Sequence, residues 1–133
     1  MGLGDLPFLK FGRNDIARPW VPLTIVNPGS RKQVDIYGLV DTGADECALP
    51  ATYASLLGFD LQQGVPKNIN TGNGVTCAYA HTVQIKIEGL KTRKILIDFL
   101  PNLQVPLLGM KNFLANFILT IDYPQSKFSL QKH

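Results

Sequence analysis

Gly38-Leu39-Val40-Asp41-Thr42-Gly43-Ala44-Asp45 is the stretch on which the fold turns. An apolar strand runs straight into an acid, a hydroxyl and a glycine. A buried strand end holds the Asp41 carboxylate on a rigid element, and Gly43, lacking a Cβ, permits a sharp turn and the close approach of another chain. Ala44 keeps crowding low. Taken alone, Asp41-Thr42-Gly43 also fits an ordinary strand-ending turn, because all three residue types favour turns. A second unit far along the chain weighs against that reading: Val105-Pro106-Leu107-Leu108-Gly109 is another apolar run that ends in glycine, and a short helical segment follows it.

Outward from these two units the periodicity is that of short strands. Val21 to Val26 and Lys32 to Val40 are β-branched runs joined by Asn27-Pro28-Gly29-Ser30, which predicts a hairpin. Thr82 to Glu88 alternates Val83, Ile85 and Ile87 with Gln84, Lys86 and Glu88, the pattern of a half-buried strand. Gly89-Leu90 then turns the chain into Lys94 to Leu100. Phe117 to Tyr123 and Lys127 to Gln131 form a closing hairpin about Pro124-Gln125-Ser126. Helical character is confined to Pro50 to Leu57, stopped by Gly58, and to roughly Met110 to Asn116. The expected fold class is all-β with one or two short helices. Residues 1–18 carry the least pattern and are expected to form an N-terminal arm, leaving 19–133 as the domain.

A chain of 133 residues is long enough for one modest core and too short for two independent lobes. Its 45% hydrophobic and 17% charged residues exclude a disordered tail. The net charge of +3 is spread along the chain apart from Lys91, Arg93 and Lys94, so no nucleic-acid partner is expected. Cys47 and Cys77 do not make a disulfide framework, and reduced thiols are expected. Met1 to Lys10 lacks a secretory pattern, and Leu6 stands where a myristoylation motif needs Ser or Thr. No apolar run approaches a membrane span. These features predict a soluble, cytoplasmic protein without a membrane partner. The only histidines, His81 and His133, have no ligand-like spacing, so neither a metal nor another cofactor is expected.

From about Trp20 to Leu130 the chain resembles the retropepsin family of aspartic peptidases. Leu39-Val40-Asp41-Thr42-Gly43-Ala44-Asp45 is similar to the family's catalytic loop, and Leu107-Leu108-Gly109 to its apolar-apolar-Gly signature. Between them, Ile69-Asn70-Thr71-Gly72-Asn73-Gly74-Val75 resembles the flap, the hairpin that folds over bound peptide. The resemblance implies a closed barrel, one half of an acid protease. It further implies that Asp41 is catalytic, that Thr42 braces the loop across a two-fold axis, and that Gly43 and Asp45 bind substrate backbone. Ala44 and the flap residues Gly72, Asn73 and Gly74 are expected at the substrate, with Leu39, Val105 and Leu107 lining its pockets; the last three also read as plain core residues. One departure stands out. Viral members carry an arginine after the signature glycine, and this chain has Met110 and then Lys111, so support of Asp45 by that ion pair is in doubt.

Peptide hydrolysis of this type needs one carboxylate to activate water and another to protonate the carbonyl oxygen. Asp5, Asp15, Asp35, Asp60, Asp98 and Asp122 are each followed by an apolar or aromatic residue, so the chain has no second Asp-Thr-Gly loop. A homodimer with Asp41 supplied twice is the expected arrangement, with a peptide or protein as substrate. Two other readings compete. The fold can serve as a dimerisation or peptide-binding module without hydrolysis. A cysteine hydrolase built from Cys47 or Cys77 with His81 is disfavoured because Cys77 and His81 are expected to point in unrelated directions across a strand pair.

Overall fold

The computed structural model describes residues 2–72 and 74–133. Its strands are β1 (Gly2–Pro7), β2 (Trp20–Val26), β3 (Gln33–Val40), β4 (Ala48–Pro50), β5 (Val65–Thr71), β6 (Gly74–Lys86), β7 (Arg93–Leu100), β8 (Leu107–Leu108), β9 (Phe117–Asp122) and β10 (Lys127–Lys132). In the larger sheet β2, β3, β8, β4, β7 and β6 follow one another, and β2 pairs back onto β6 through Ile25↔Ile85, so the sheet closes into a barrel. Closure leaves these strands no free edge, and β5 extends from β6 as a hairpin arm.

Alternation explains which residues fill the barrel. Ile36, Gly38 and Val40 of β3 point in while Asp35 and Tyr37 face out; Val83 and Ile85 of β6 point in while Lys86 faces out. With Val21, Leu23 and Ile25 of β2 and Ile97 and Phe99 of β7 they form one core. Each such side chain contributes about 1.5–3 kcal/mol through burial. Gly38 is needed here for space, since a Cβ would come within 2.9 Å of Leu108 and Leu23 side-chain carbons.

A second sheet, ordered β1-β10-β9, lies beside the barrel. The patternless N-terminal stretch supplies one of its strands: Leu3↔Leu130 and Leu6↔Phe128 pair antiparallel across a bulge at Asp5, whose φ is 49°. Periodicity could not show β1 because the bulge shifts its inward and outward positions part-way along. Residues 9–18 form a loop closed by the Leu9↔Arg18 bridge.

Both expected helices shrink. Pro50 is the last residue of β4, in register with Leu100, and only Tyr53–Leu56 (α1) is α-helical. After Gly109, the backbone N–H groups of Met110 and Lys111 donate to Ala44 and Asp45 carbonyls at 2.9 and 2.7 Å. The Leu114 and Ala115 N–H groups then reach five residues back, to the Gly109 and Met110 carbonyls at 3.0 and 2.8 Å, so no i→i−4 ladder builds from Met110, and a 3-10 turn forms at Leu114–Asn116. The strand expected at Thr82 is the end of a longer one, because β6 runs unbroken from the hairpin tip at Gly74.

Candidate active site

Asp41 follows the last residue of β3. Leu39 and Val40 pair in parallel with Leu107 and Leu108 of β8, and the Asp41 N–H donates to the Leu108 carbonyl at 3.1 Å. β4, on the other side of β8, pairs Ala48 with Leu107. The chain therefore enters and leaves the Asp41 loop on two strands that flank β8. Within the loop the Gly43 N–H donates to Asp41 Oδ1 at 2.9 Å, and the Ala44 N–H to the Asp41 carbonyl at 3.2 Å. The half-exposed carboxylate is thus oriented by its own turn, and among the described residues no hydrogen bond engages its other oxygen.

Gly109 locks this loop from below. A Cβ there would run into the carbonyl carbon and oxygen of Glu46 and reach 2.8 Å from its Cα. The Gly109 N–H donates to the buried Cys47 sulfur at 3.3 Å, and the Cys47 N–H donates to Asn112 Oδ1 at 3.0 Å. Asn112 in turn donates to the Leu96 carbonyl at 3.0 Å. Burial pushes the Cys47 thiol up to about 11, with the Gly109 donor pulling the other way, so the sulfur is a hydrogen-bond acceptor held protonated.

A groove of about 560 Å³ opens beside the loop. Of the residues expected at the site, Gly43, Ala44, Asp45 and Leu107 line it. Asp41, Thr42, Leu39 and Val105 lie outside this lining, Asp41 and Thr42 in the loop itself and Leu39 opposite Leu107 on β3. Gly72 and Gly74 lie at the tip of the β5–β6 hairpin, beyond the groove wall, which that hairpin supplies through Asn68, Ile69 and Asn70. Asn73 falls outside the described residues.

The groove also holds a charged cluster that sequence reading missed. Lys67 on β5 forms ion pairs with Glu46, just after the Asp41 loop, and with Asp98 on β7, whose Oδ1 is 3.0 Å away. The hydrogen bond to Asp98 runs to Oδ2 at 3.2 Å, leaving buried Oδ1 facing the ammonium without a hydrogen bond of its own. The hydrogen bond from Lys67 holds Glu46 below the usual carboxylate range, whereas burial pushes Asp98 up against the pull of Lys67. For Lys67 itself, burial favours the neutral amine, but the two carboxylates outweigh it and leave the pKa raised. The cluster ties the first strand of the hairpin to the floor of the groove. An acid inside the apolar run Ile97-Asp98-Phe99 was the signal available in the sequence.

Lys111 lines the groove too, yet among the described residues no ion pair joins it or any other cation to Asp45. The viral-type arginine pair has no counterpart there, and the Lys111 backbone supports Asp45 instead. Cys77 and His81 need a correction. Both lie on β6, four residues apart and so on the same face, about 13 Å from each other at the usual strand rise. That separation, rather than opposed directions, rules out a proton exchange between them. His81 is also committed elsewhere, with Nε2 2.9 Å from the Leu61 carbonyl and its ring 4.5 Å from that of Phe59.

A closed barrel whose acid loop and glycine-ended strand interlock in this way defines a retropepsin-like aspartic protease fold. The chain belongs to the gag-polyprotein putative aspartyl protease family, whose model matches residues 31–116. Among solved structures it is similar to a retropepsin-like aspartic protease from Rickettsia conorii, at 29% identity and a TM-score of 0.67 over 96% of this chain and 99% of that one. It also matches EIAV protease complexed with the inhibitor HBY-793, at 21% identity and a TM-score of 0.50 over 76% of this chain and 88% of that one, a likeness of fold. No curated protein matches it. Among the described residues no helix is long and apolar enough to cross a membrane.

Proposed function

We propose that this protein is an aspartic endopeptidase that works as a homodimer, hydrolysing peptide bonds with a water molecule activated between two Asp41 carboxylates, one from each copy. The observation that carries this reading is the Asp41 loop itself: a half-exposed carboxylate, oriented by the Gly43 N–H and clamped between β3 and β8, beside an open groove. One carboxylate takes a proton from water while the other, protonated, donates to the substrate carbonyl. Two carboxylates about 3 Å apart cannot both ionise, so the pair holds one proton between them.

The single chain provides only half of that pair. Thr42 has an exposed hydroxyl with no hydrogen-bond partner among the described residues, which suits a contact across the two-fold axis. Of the two edges of the small sheet, β1 is broken by its bulge and carries Pro7, whereas β9 is unbroken over six paired positions and exposes Ile118. An even, apolar edge is the one a second copy extends. Substrate enters as an extended strand between the floor at Ala44 and Asp45 and the flap hairpin, with Gly72, Asn73 and Gly74 at its tip. Leu39, Val105 and Leu107 favour apolar side chains beside the scissile bond. Two free thiols favour a reducing compartment such as the cytoplasm.

Peptide-library digestion by wild type and Asp41→Asn tests the reading. Hydrolysis is expected only in wild type, with specific activity falling on dilution below the dimer constant. Cleavage that survives Asp41→Asn removes Asp41 as the water-activating group. If neither protein cleaves while both dimerise and bind peptide, the chain is a binding module.

A further inference from the structure

A second pocket, of about 280 Å³, lies where the barrel meets the small sheet, away from the groove. It is lined by Leu90 and Lys91 of the β6–β7 turn, Arg93 at the start of β7, Phe117 at the start of β9 and Lys132 at the end of β10. Phe117 and Lys132 are directly paired across the sheet. The Arg93 guanidinium carbon stands 5.1 Å over the centre of the Phe117 ring. Its Nε is buried and, among the described residues, has no hydrogen-bond partner.

These five residues bring three cations and two apolar side chains together without an acid. Among the described residues none of the three cations makes an ion pair. Arg93 lines the pocket, and a carboxylate is the group whose geometry matches the guanidinium fork. The volume is below that of most sites for whole small ligands, so it suits one or two side chains rather than a cofactor. Leu90 and Phe117 would cover an apolar neighbour.

We infer that this pocket is a docking site for an acidic peptide segment, in which a glutamyl or aspartyl carboxylate seats on Arg93 between Lys91 and Lys132 and an adjacent apolar side chain packs on Leu90 and Phe117. None of these residues belongs to the groove, so the pocket is separate from the proposed catalytic site.

The test is fluorescence anisotropy of two labelled peptides, Gly-Glu-Leu-Glu-Leu-Gly and its Gln-for-Glu counterpart, titrated with the full-length Asp41→Asn protein. The glutamyl peptide should bind at least about tenfold more tightly than the glutaminyl one, as expected for charge-assisted bonds, and lose affinity as salt rises. Arg93→Gln should abolish that preference. The surface pair Lys91→Gln/Lys132→Gln, which leaves Arg93 on Phe117, should weaken it severalfold and keeps the test open if Arg93→Gln does not fold. Equal binding of both peptides, binding of the glutamyl peptide unchanged in the lysine variant, or its displacement by inorganic phosphate at matched ionic strength would each overturn the assignment.

Discussion

Replacing Lys67 by Met removes the cation that pairs with both Glu46 and Asp98, and the two carboxylates respond differently. Glu46 has a side chain 35% exposed, so water takes over from the lost ammonium and the change is about 0–1 kcal/mol. Asp98 has a side chain only 5% exposed, and stranding a buried charge costs about 3–5 kcal/mol. Protonation limits that loss. Taking a carboxyl of ordinary pKa 3.8 to its neutral form at pH 7 costs about 4 kcal/mol, and at pH 5 under about 2 kcal/mol. Lys67→Met is therefore expected to lose about 3–5 kcal/mol in urea denaturation at pH 7, a large share of the roughly 5–15 kcal/mol typical of a domain.

The pH dependence gives the sharper check. Asp98 has a raised folded pKa, so the native state binds more protons than the unfolded chain above 3.8, and this group's contribution falls as pH rises through that window. Glu46 has a lowered one; its contribution is present above 4.5 and is lost as pH drops through the folded value. The two oppose each other in wild type. In Lys67→Met the Asp98 shift grows and the Glu46 shift loses its main cause, so the gap between variant and wild type should at least halve from pH 7 to pH 5. A gap below about 1 kcal/mol at pH 7, or one that does not change with pH, refutes the reasoning. The double variant Lys67→Met/Asp98→Leu should recover most of the loss, since no buried charge is left unpaired.

Gly109→Ala is expected to cost at least about 1–3 kcal/mol, because the added methyl meets backbone of Glu46 that cannot rotate away; urea denaturation reads this, and peptide hydrolysis should fall further than stability as the Asp41 loop is displaced. The thiols should alkylate in two phases. Exposed Cys77 reacts with iodoacetamide in the native protein, while Cys47, buried and with its thiol pushed up to about 11, reacts only on unfolding. Hydrolysis should persist after the first phase, and its loss would return a cysteine to the mechanism.

Much of the barrel was legible because its strands bury one face. Val83 and Ile85 set against Gln84 and Lys86 fix the inward and outward sides of β6, and Ile87 and Glu88 carry the alternation just past its end, without reference to any partner. The hairpin of β2 and β3 was readable for the same reason, with Asn27-Pro28-Gly29-Ser30 as its turn. Helix signals misled at Pro50, whose register belongs to β7, and at Met110, where backbone bonds run five residues back rather than four. The bulge at Asp5 hid β1.

The sequence by itself determined the strand pattern, the acid loop at Asp41 and the glycine that ends Leu107-Leu108, because these rest on local preferences of backbone and side chain. Only the tertiary structure decided that Gly109 lies against Glu46, that Lys67 reaches Asp98 thirty-one residues away, and that Arg93 sits over Phe117 beside two lysines. Those contacts join strands far apart in the chain, and long-range pairing is set by how the barrel closes, a property that no local window of residues encodes.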